Sequence, residues 1–328
     1  MSDFQRSDFR LVADELQYPE GPVYQSDGSV LVVEVQKGTL TRVAADGTKQ
    51  TVANLGGGPN GAAIGPDGAV YVCNDGGFDW LPMPRPPMKP VVWVPYGQPE
   101  TYTGGSIQRV SGGTFTTLYT QCNGNKLCSP DDLVFDATGN FWFTDWGKQR
   151  PTDRDITAVY YAQPDGKKIQ QLIPQRSAPN GIALSPDDTR LYVAETYARW
   201  ILYWELASPG VIKPNPATLD GSYLLTAAIP GQGTLDSMAV DEEGNVYVAT
   251  MLPKGLSASV PGGITVISPD GKILDFIELT VEGKPEPLPS NLCFGGSDRK
   301  TAFITLAGTS RLVACEMKIP GKKLHFAN

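Results

Sequence analysis

The chain has 328 residues, which is enough for two ordinary domains or for one large all-β or repeat domain. Lys and Arg total 27 against 35 Asp and Glu, a net charge of −8, and no basic run is long enough to follow a phosphate backbone, which argues against nucleic acid as a partner. No stretch approaches the roughly 18 apolar residues that span a bilayer, and the polar start does not resemble an export signal, so we expect a cytoplasmic protein with no membrane contact.

After a first predicted strand at "FRLVADEL", the sequence repeats one strand–turn–strand pattern six times. The first two copies read "PEGPVYQSDGSVLVVE" and "PNGAAIGPDGAVYVCN", and each copy opens with a polar residue, here called an anchor. In chain order the anchors are Glu20, Asn60, Asp131, Asn180, Asp236 and Asn291. Eight residues after them stand the turn positions Gly28, Gly68, Gly139, Asp188, Gly244 and Arg299. Each copy is therefore a predicted β-hairpin whose first strand begins at its anchor.

The spacing of the anchors predicts the fold. Successive anchors are 40, 71, 49, 56 and 55 residues apart, which leaves room for two more strands in each unit. Six four-stranded units make an all-β, six-bladed β-propeller, and no helical periodicity competes with it. The strand in "FRLVADEL" is expected to join the last blade beside "SRLVACEMKI", which closes the ring and hides both edges. The whole chain, residues 1–328, is expected to form this single domain.

The longest gap between anchors holds a Pro-rich loop on the second blade, at about residues 76–105. Loops of this length are functional or disordered, and this one carries Trp80, Trp93 and Tyr96, which argues against disorder. We expect it to cover one end of the propeller. Trp80 and Trp146 are candidates to line a substrate pocket, with ordinary packing as the alternative for each.

The anchors are expected to form a ring, because the first strand of each blade lines the central channel of a propeller. Around it the carboxylates Glu20, Asp131 and Asp236 would alternate with the amides Asn60, Asn180 and Asn291. Three carboxylates in a narrow channel repel one another or take up protons unless a cation lies among them. A ring of hard oxygens favours Ca²⁺, with Mg²⁺, Mn²⁺, Zn²⁺ and Fe²⁺ as alternatives. For Asn60 and Asn291, plain turn chemistry is the competing explanation.

In these residues the chain resembles the senescence-marker-protein (regucalcin)/gluconolactonase family, six-bladed propellers that bind one divalent metal ion at the channel mouth. The matching motifs are "PEGPVY", "SAPNGIALSPDDTRLYVAET" and "LDSMAVDEEGNVYVAT", in order, and the match covers nearly the whole chain. The resemblance implies that Glu20, Asn180 and Asp236 hold the metal ion and that Asp236 is also the general base or nucleophile. It implies a small-molecule lactone or ester as the partner and leaves the oligomeric state open.

The third blade departs from the family pattern. Gluconolactonase-like members commonly read "SPND" where this chain reads "SPDD", so Asp131 replaces an Asn that contacts metal or substrate. Asp131 is therefore a candidate metal ligand and a second candidate base, whereas Asp132 is expected to cap the turn or brace the backbone. Ser129 stands where animal sugar-lactone hydrolases have an Arg, so we expect a substrate more apolar or aromatic than a sugar lactone. Asn60 and Asn291 are candidates to contact that substrate.

Hydrolysis of a lactone ring is the predicted function. The metal ion would polarise the carbonyl group, and Asp236 or Asp131 would take a proton from the attacking water. A carboxylate has to be the base because the one histidine, His325, lies in the C-terminal tail. The same shortage argues against a Ser-His-Asp hydrolase and a paraoxonase-type lactonase. A phosphotriesterase of the diisopropylfluorophosphatase type and a non-catalytic calcium-binding or interaction propeller are the alternatives.

Two further groups of residues leave alternatives open. Cys122 and Cys128 could form a disulfide, although reduced thiols are favoured for all five cysteines. Polar residues also recur fourteen positions after an anchor, or fifteen in one blade, and they are either a second layer around the ring or solvent-facing strand ends. They are Glu34, Asn74, Asp145, Glu195 and Thr250.

Overall fold

The computed structural model describes residues 4–5, 7–83, 92–251 and 261–327. Within them, six antiparallel sheets follow one another along the chain, and four strands pair in chain order in each of the first five. These sheets are the six blades predicted from the repeats, so the all-β propeller is confirmed. The middle of the predicted long loop, residues 84–91, lies outside the described residues.

In blades 1 to 3 the strand that carries the anchor is innermost, and three further strands follow outward. Blade 1 consists of Pro19–Tyr24, Val30–Glu34, Thr39–Val43 and Lys49–Asn54. Blade 2 consists of Pro59–Ile64, Val70–Asn74, Ser106–Ser111 and Thr114–Tyr119. Blade 3 consists of Pro130–Phe135, Phe141–Asp145, Thr157–Ala162 and Ile169–Arg176.

Blades 4 to 6 have the same plan, with one addition and one borrowed strand. Blade 4 consists of Pro179–Leu184, Arg190–Glu195, Trp200–Ser208 and Ser222–Thr226, and the short strand Val211–Ile212 also pairs with its third strand. Blade 5 consists of Thr234–Val240, Val246–Met251, Gly263–Ile267 and Ile273–Glu278. Blade 6 consists of Pro289–Gly295, Thr301–Leu306, Arg311–Glu316 and the N-terminal strand Arg10–Ala13.

The blades close into a ring around a central channel. The innermost strand of each blade contacts the innermost strands of both neighbours, and the cycle ends where blade 6 contacts blade 1. The N-terminal strand pairs with the third strand of blade 6, with Arg10 opposite Ala314 and Leu11 opposite Val313. The predicted closure by the N-terminal strand is thus confirmed, and it leaves blade 6 with four strands like the others.

Apolar side chains fill the seam between each pair of neighbouring blades. Six clusters of buried residues follow the ring, and each draws its members from two adjacent blades. In the seam between blades 2 and 3, for example, Tyr71 packs edge-on against Phe135 with ring centroids 5.0 Å apart. Burial of this apolar surface is the main source of stability, since roughly 25 cal/mol is gained for each Å² removed from water.

The turn that joins the first two strands of each blade has the conformation that its sequence predicts. All six turn positions have positive φ, including the non-glycine residues Asp188 and Arg299, both at +56°. Asp188 and Arg299 stand at the same hairpin position as the four glycines, so they adopt the left-handed conformation that residues other than glycine rarely occupy. These turns lie at the end of the channel opposite the anchors.

A hairpin from blade 2 crosses the anchor end of the propeller. Its strands are Asp79–Met83 and Val92–Tyr96. The second strand contacts the one-turn 3₁₀ helix Ala307–Thr309, which follows the second strand of blade 6. Trp80 on the first strand packs edge-on against Tyr18, just before blade 1, with centroids 5.1 Å apart. The hairpin therefore spans from blade 2 over blade 1 to blade 6.

The C-terminal tail crosses the opposite end, over the turns. The Arg side chain at the turn of blade 6 donates to the carbonyl of Gly321, and the backbone N–H of Lys322 donates to a carbonyl of blade 5. Lys322 Nζ donates to Asp188 Oδ1 of blade 4 across 2.6 Å. Phe326 packs edge-on against Phe135 of blade 3 at 5.9 Å. The tail thus touches four consecutive blades.

The remaining elements are small. Two-residue strands pair as Gln121–Cys122 with Asn125–Lys126 and as Thr280–Val281 with Lys284–Pro285, and a second 3₁₀ turn covers Pro230–Gln232. None of the helices in the described part of the chain is long and apolar enough to cross a membrane. All five cysteines are free thiols, as the sequence favoured.

Candidate active site

Each anchor lies at the start of the innermost strand of its blade, where strand pairing is irregular. In blade 1 the register shifts between Glu20 and Val23, and the other five blades shift at or beside their anchors in the same way. A bulge of this kind turns a side chain out of the regular alternation of a strand. Five of the six anchors are buried, and Asn60 is partly exposed.

Glycines let neighbouring blades approach closely beside the anchors. A Cβ added at Gly21, Gly61 or Gly181 would lie 2.5, 2.6 or 2.7 Å from the backbone oxygen of the anchor in the next blade. Real Cβ atoms essentially never come this close to another heavy atom, so no larger residue fits without movement of the backbone. The "EG" and "NG" dipeptides of blades 1, 2 and 4 are therefore packing requirements as well as turn signals.

Hydrogen bonds join neighbouring anchors in pairs. Asn291 Nδ2 donates to Glu20 Oε2 across 2.9 Å, and the same oxygen accepts from the backbone N–H of Gly21, also at 2.9 Å. Asn60 Nδ2 donates to Asp131 Oδ2 across 3.2 Å. Asn60 and Asn291, for which turn formation was the competing explanation, therefore contact carboxylates of the ring.

Burial and like charge raise the pKa values of all three ring carboxylates. Burial raises the pKa of Glu20 to about 7, against the opposing effect of its hydrogen bonds. Burial, and then the charges of Asp236 and Glu20, raise the pKa of Asp131 well above its usual range. The pKa of Asp236 is raised by burial and by Glu20, while a hydrogen bond with Asn180 lowers it. The ring is thus a site where negative charge is costly without a counter-ion.

The ring offers oxygens to a cation. Asp131 Oδ1 and Asn180 Oδ1 are buried and have no hydrogen-bond partner, and buried oxygens of this kind are normally satisfied. Among the described residues, no group of three or more His, Cys, Asp or Glu side chains forms a ready-made metal cluster. Carboxylate oxygens together with an amide oxygen are nevertheless the donor set that hard divalent cations prefer. The residues present fit such an ion.

Polar side chains behind the ring hold the segments that lead into it. Asp145 accepts the backbone N–H groups of Cys128 and Ser129 at 2.7 Å each, directly before blade 3. Glu34 accepts the N–H of Gln17 at 2.9 Å before blade 1, and Asn74 accepts an N–H before blade 2 in the same way. All five residues at these positions are buried, so they form a second layer and are not solvent-facing strand ends.

Asp132 is also buried, beside the ring. Its Oδ1 accepts the backbone N–H of Leu133 across 2.9 Å, which is the bracing role expected from the sequence. Burial raises the pKa of Asp132 to about 7. The two adjacent carboxylates of "SPDD" thus differ in their partners, because Asp131 bonds across the ring and Asp132 bonds to its own backbone.

Aromatic side chains line two sides of the channel mouth. Trp80 contacts Tyr18 on the side of blade 1, where Tyr18 lies close enough to Asp236 and Glu20 for their charges to raise its pKa. Trp146 lies on the side of blade 3, where it packs edge-on against Phe78 at 6.0 Å and lies 5.8 Å from the ring of Tyr197. Trp80 and Trp146, the two candidates for the pocket, therefore lie on different sides of the channel mouth.

Sequence reasoning missed two residues of this region, Tyr18 and Arg154. Tyr18 stands two positions before an anchor, at a site where the other repeats vary, so nothing in the repeat marks it. Arg154 stands between the second and third strands of blade 3, outside the repeated hairpin, and stacks over Trp146 at 4.0 Å. Tyr18 and Arg154 are both positioned near the ring by contacts between neighbouring blades.

Comparison with known proteins identifies the family. The model of the "SMP-30/Gluconolactonase/LRE-like region" matches residues 18–308, a range that includes all six anchors. The chain belongs to this family. A gluconolactonase of Zymomonas mobilis subsp. mobilis is 28% identical over 317 residues, a match that covers 90% of this chain and 78% of the relative. Lactonase drp35 of Staphylococcus haemolyticus is 31% identical over 242 residues, covering 73% of this chain and 65% of the relative, just under two thirds.

A solved structure gives the same fold for an SMP-30/gluconolactonase relative. The crystal structure of a calcium-binding protein, regucalcin, from Agrobacterium tumefaciens matches with a TM-score of 0.67 and 17% identity. The match covers 94% of this chain and 95% of that chain. At this identity the likeness shows the fold alone, and it agrees with the propeller described above.

Proposed function

We propose that this protein hydrolyses lactones at the ring of anchors, with a small-molecule lactone as its substrate. The observation that carries the proposal is the set of buried carboxylates at the channel mouth, where Asp131 Oδ1 and Asn180 Oδ1 have no hydrogen-bond partner. The names of the relatives, gluconolactonase and lactonase, support it at the level of the family. The aromatic walls favour a substrate that is more apolar or aromatic than a sugar lactone.

A divalent metal ion is part of the proposal. Glu20, Asn180 and Asp236 would hold it, and Asp131 would be a further ligand from blade 3. Ca²⁺ is favoured because the donors are carboxylate and amide oxygens, and because a solved relative of the same fold is described as calcium-binding. When bound, such an ion supplies a Lewis acid for the lactone carbonyl.

The base is a carboxylate of the chain. Water attacks the carbonyl carbon, and Asp236 or Asp131 accepts the proton that the water loses. The bond between the carbonyl carbon and the ring oxygen then breaks, and the ring oxygen takes up a proton, so the product is a hydroxy acid. In the metal-free ring, burial and like charge raise the pKa of Asp131 well above its usual range, so this group favours its protonated form unless a cation is bound.

Tyr18 supplies a neutral hydrogen-bond donor beside the ring. Burial, and then the charges of Asp236 and Glu20, raise the pKa of Tyr18 well above its usual value, so the phenol keeps its proton at neutral pH. A neutral donor can stabilise negative charge that develops on an oxygen of the substrate without adding charge to the site. We assign this positioning and stabilising role to Tyr18.

A substrate panel tests the proposal. We expect at least one γ- or δ-lactone to be hydrolysed in a reaction that EDTA stops and added Ca²⁺ or another divalent ion restores. Aryl esters and fluorophosphates belong in the panel, because turnover of fluorophosphates alone would identify a phosphotriesterase instead. Tight metal binding without metal-dependent turnover of any compound would reject the enzyme and favour a calcium-binding or interaction propeller.

Asp131→Asn distinguishes the two roles of that residue. An unchanged rate with an altered metal preference would make Asp131 a ligand, whereas loss of turnover with the metal ion retained would make it the base. Asp236→Asn is expected to abolish turnover, since Asp236 is both ligand and candidate base. Asp165→Asn is the matched control, because Asp165 is exposed in the turn between the third and fourth strands of blade 3, at the end of the blade opposite the anchors.

A further inference from the structure

Arg154 lies at the channel mouth with its guanidinium held between aromatic rings. Its central carbon is 4.0 Å from the centroid of the Trp146 ring and 5.1 Å from that of Tyr197. One terminal nitrogen, Nη2, donates to the backbone carbonyl of Trp146. Trp146 is fixed in turn by a hydrogen bond from its Nε1 to Thr196 Oγ1 across 3.2 Å. The guanidinium is thus held in place by contacts from blades 3 and 4.

Among the described residues, no carboxylate forms a salt bridge with this guanidinium. Its Nε and Nη1 are buried without a hydrogen-bond partner. The neighbouring carboxylate, Asp155, pairs instead with Arg150, whose Nη2 lies 2.6 Å from Asp155 Oδ1. Arg154 is half-buried, and a buried donor without a partner is unfavourable, so these two nitrogens favour an acceptor supplied from outside the chain.

Arg154 is also close to the ring of anchors. Arg154 donates to the carbonyl of Trp146, and the backbone N–H of Trp146 donates across 2.8 Å to the carbonyl of Ser129, two residues before Asp131. A substrate whose carbonyl carbon lies at the ring of anchors can therefore extend toward Arg154. The carboxylates of the ring repel an anionic substrate, and a cation placed on one wall is what would allow such a substrate to bind.

We propose that Arg154 binds a carboxylate group carried by the lactone, so that the preferred substrates are lactones with a carboxylate on the ring or on a short side chain. This inference rests on the proposed lactonase function. Arginine suits the role because its planar guanidinium donates several hydrogen bonds to carboxylate oxygens and stacks on aromatic faces. The rings of Trp146 and Tyr197 hold the guanidinium in place for this contact.

A matched pair of substrates tests the inference on the metal-loaded protein. 5-Oxotetrahydrofuran-2-carboxylate and its carboxamide have the same shape and differ in charge. We expect wild-type kcat/KM to be about 10- to 100-fold higher for the carboxylate, and Arg154→Gln to remove this preference through KM with little change in kcat. Hydrolysis of the carboxamide should change by less than about threefold, because a neutral amide gains little from the charge. Arg154→Lys should restore part of the preference.

Two controls separate this inference from the proposed function. Arg150→Gln removes a nearby arginine whose charge is already paired with Asp153 and Asp155, so it should leave the preference intact. Thermal unfolding of each variant checks the fold. Calorimetry with 3-oxocyclopentane-1-carboxylate, a ketone that cannot be hydrolysed, measures the anion site directly. Its affinity should fall about 10- to 100-fold in Arg154→Gln.

The outcomes point in different directions. Equal losses on the carboxylate and the carboxamide, with no change in binding of the ketone, would mean that Arg154 only balances the charge of Asp131, and the inference would be wrong. Binding of the ketone that depends on Arg154, without turnover of any lactone, would keep the anion site and reject the lactonase.

Discussion

Replacement of Glu20 by Gln tests whether burial of negative charge in the ring of anchors destabilises the metal-free protein and whether a bound cation removes this effect. Without metal, burial raises the pKa of Glu20 from its ordinary value of 4.5 to about 7. Each pKa unit corresponds to about 1.4 kcal/mol, so the ionised carboxylate costs the fold about 3 kcal/mol at neutral to alkaline pH. An amide at this position has no charge to bury, and its oxygen can still accept from Gly21 and Asn291.

The sign of the pH dependence follows from proton linkage. Because the pKa of Glu20 in the folded state lies above 4.5, the native state binds the proton more tightly than the unfolded chain does. The contribution of Glu20 to wild-type stability therefore falls as the pH rises from 4.5 to about 7. We expect metal-free Glu20→Gln to match the wild type below this range and to be more stable by up to about 3 kcal/mol above it. Saturating Ca²⁺ should reverse the order, since binding stabilises only a ring that keeps its ligands.

Urea unfolding followed by tryptophan fluorescence measures these differences, with EDTA at about pH 4 and pH 8 and then with Ca²⁺. Glu242→Gln is the matched control, because that carboxylate is exposed and its contact with Arg299 spans 3.2 Å at the surface. Such pairs contribute less than about 1 kcal/mol. A metal-free Glu20→Gln protein that is less stable than the wild type at pH 8 would refute the reasoning.

Three further substitutions probe the packing, the tail and the pocket. Gly61→Ala places a Cβ 2.6 Å from Asp132 Cα, so urea titration should show a free energy of unfolding lower by about 1–3 kcal/mol, and an unchanged value would mean that the blades can separate there. Lys322→Met removes the donor to Asp188 and should lower stability by about 2 kcal/mol without changing kcat, whereas loss of activity would contradict a purely structural role. Trp80→Ala should raise KM about tenfold for an aryl-substituted lactone and much less for a small aliphatic one, and equal KM changes would remove Trp80 from the pocket.

The repeated part of the fold could be predicted because its determinants are local. A tight turn eight residues after each anchor fixes the hairpin, and the same backbone conformation at Asp188 and Arg299 shows that the pattern survives where glycine is absent. Even the second layer recurs at a nearly constant distance of fourteen or fifteen residues from the anchors, so Asp145 and its equivalents were visible in the sequence. Their burial was not visible, because it depends on the loops that they hold.

Residues outside the repeat could not be predicted, because their roles arise from contacts between blades. Arg154 is one of several charged residues in "RPTDRD", and only its stacking on Trp146 and Tyr197 distinguishes it from Arg150. The bulges beside the anchors could not be predicted either, because a hairpin with regular pairing has the same sequence signals. The repeats thus predict the scaffold, whereas the side chains that surround the ring of anchors come from irregular segments that the repeats do not describe.

The hairpin of blade 2 and the C-terminal tail act as straps on opposite ends of the ring. The tail ties together the seams between blades 6 and 5, 5 and 4, and 4 and 3, while the hairpin ties blade 2 to blade 1 and blade 1 to blade 6. Among the contacts of the two straps described above, none bridges the seam between blades 2 and 3. There the buried Lys148 of blade 3 donates across the seam to the carbonyl of Gly77 at 2.8 Å, under the start of the hairpin. Together with the hydrogen bond from Asn60 to Asp131 at the ring of anchors, this ammonium holds blades 2 and 3 together from within the seam, where the other seams have an external strap.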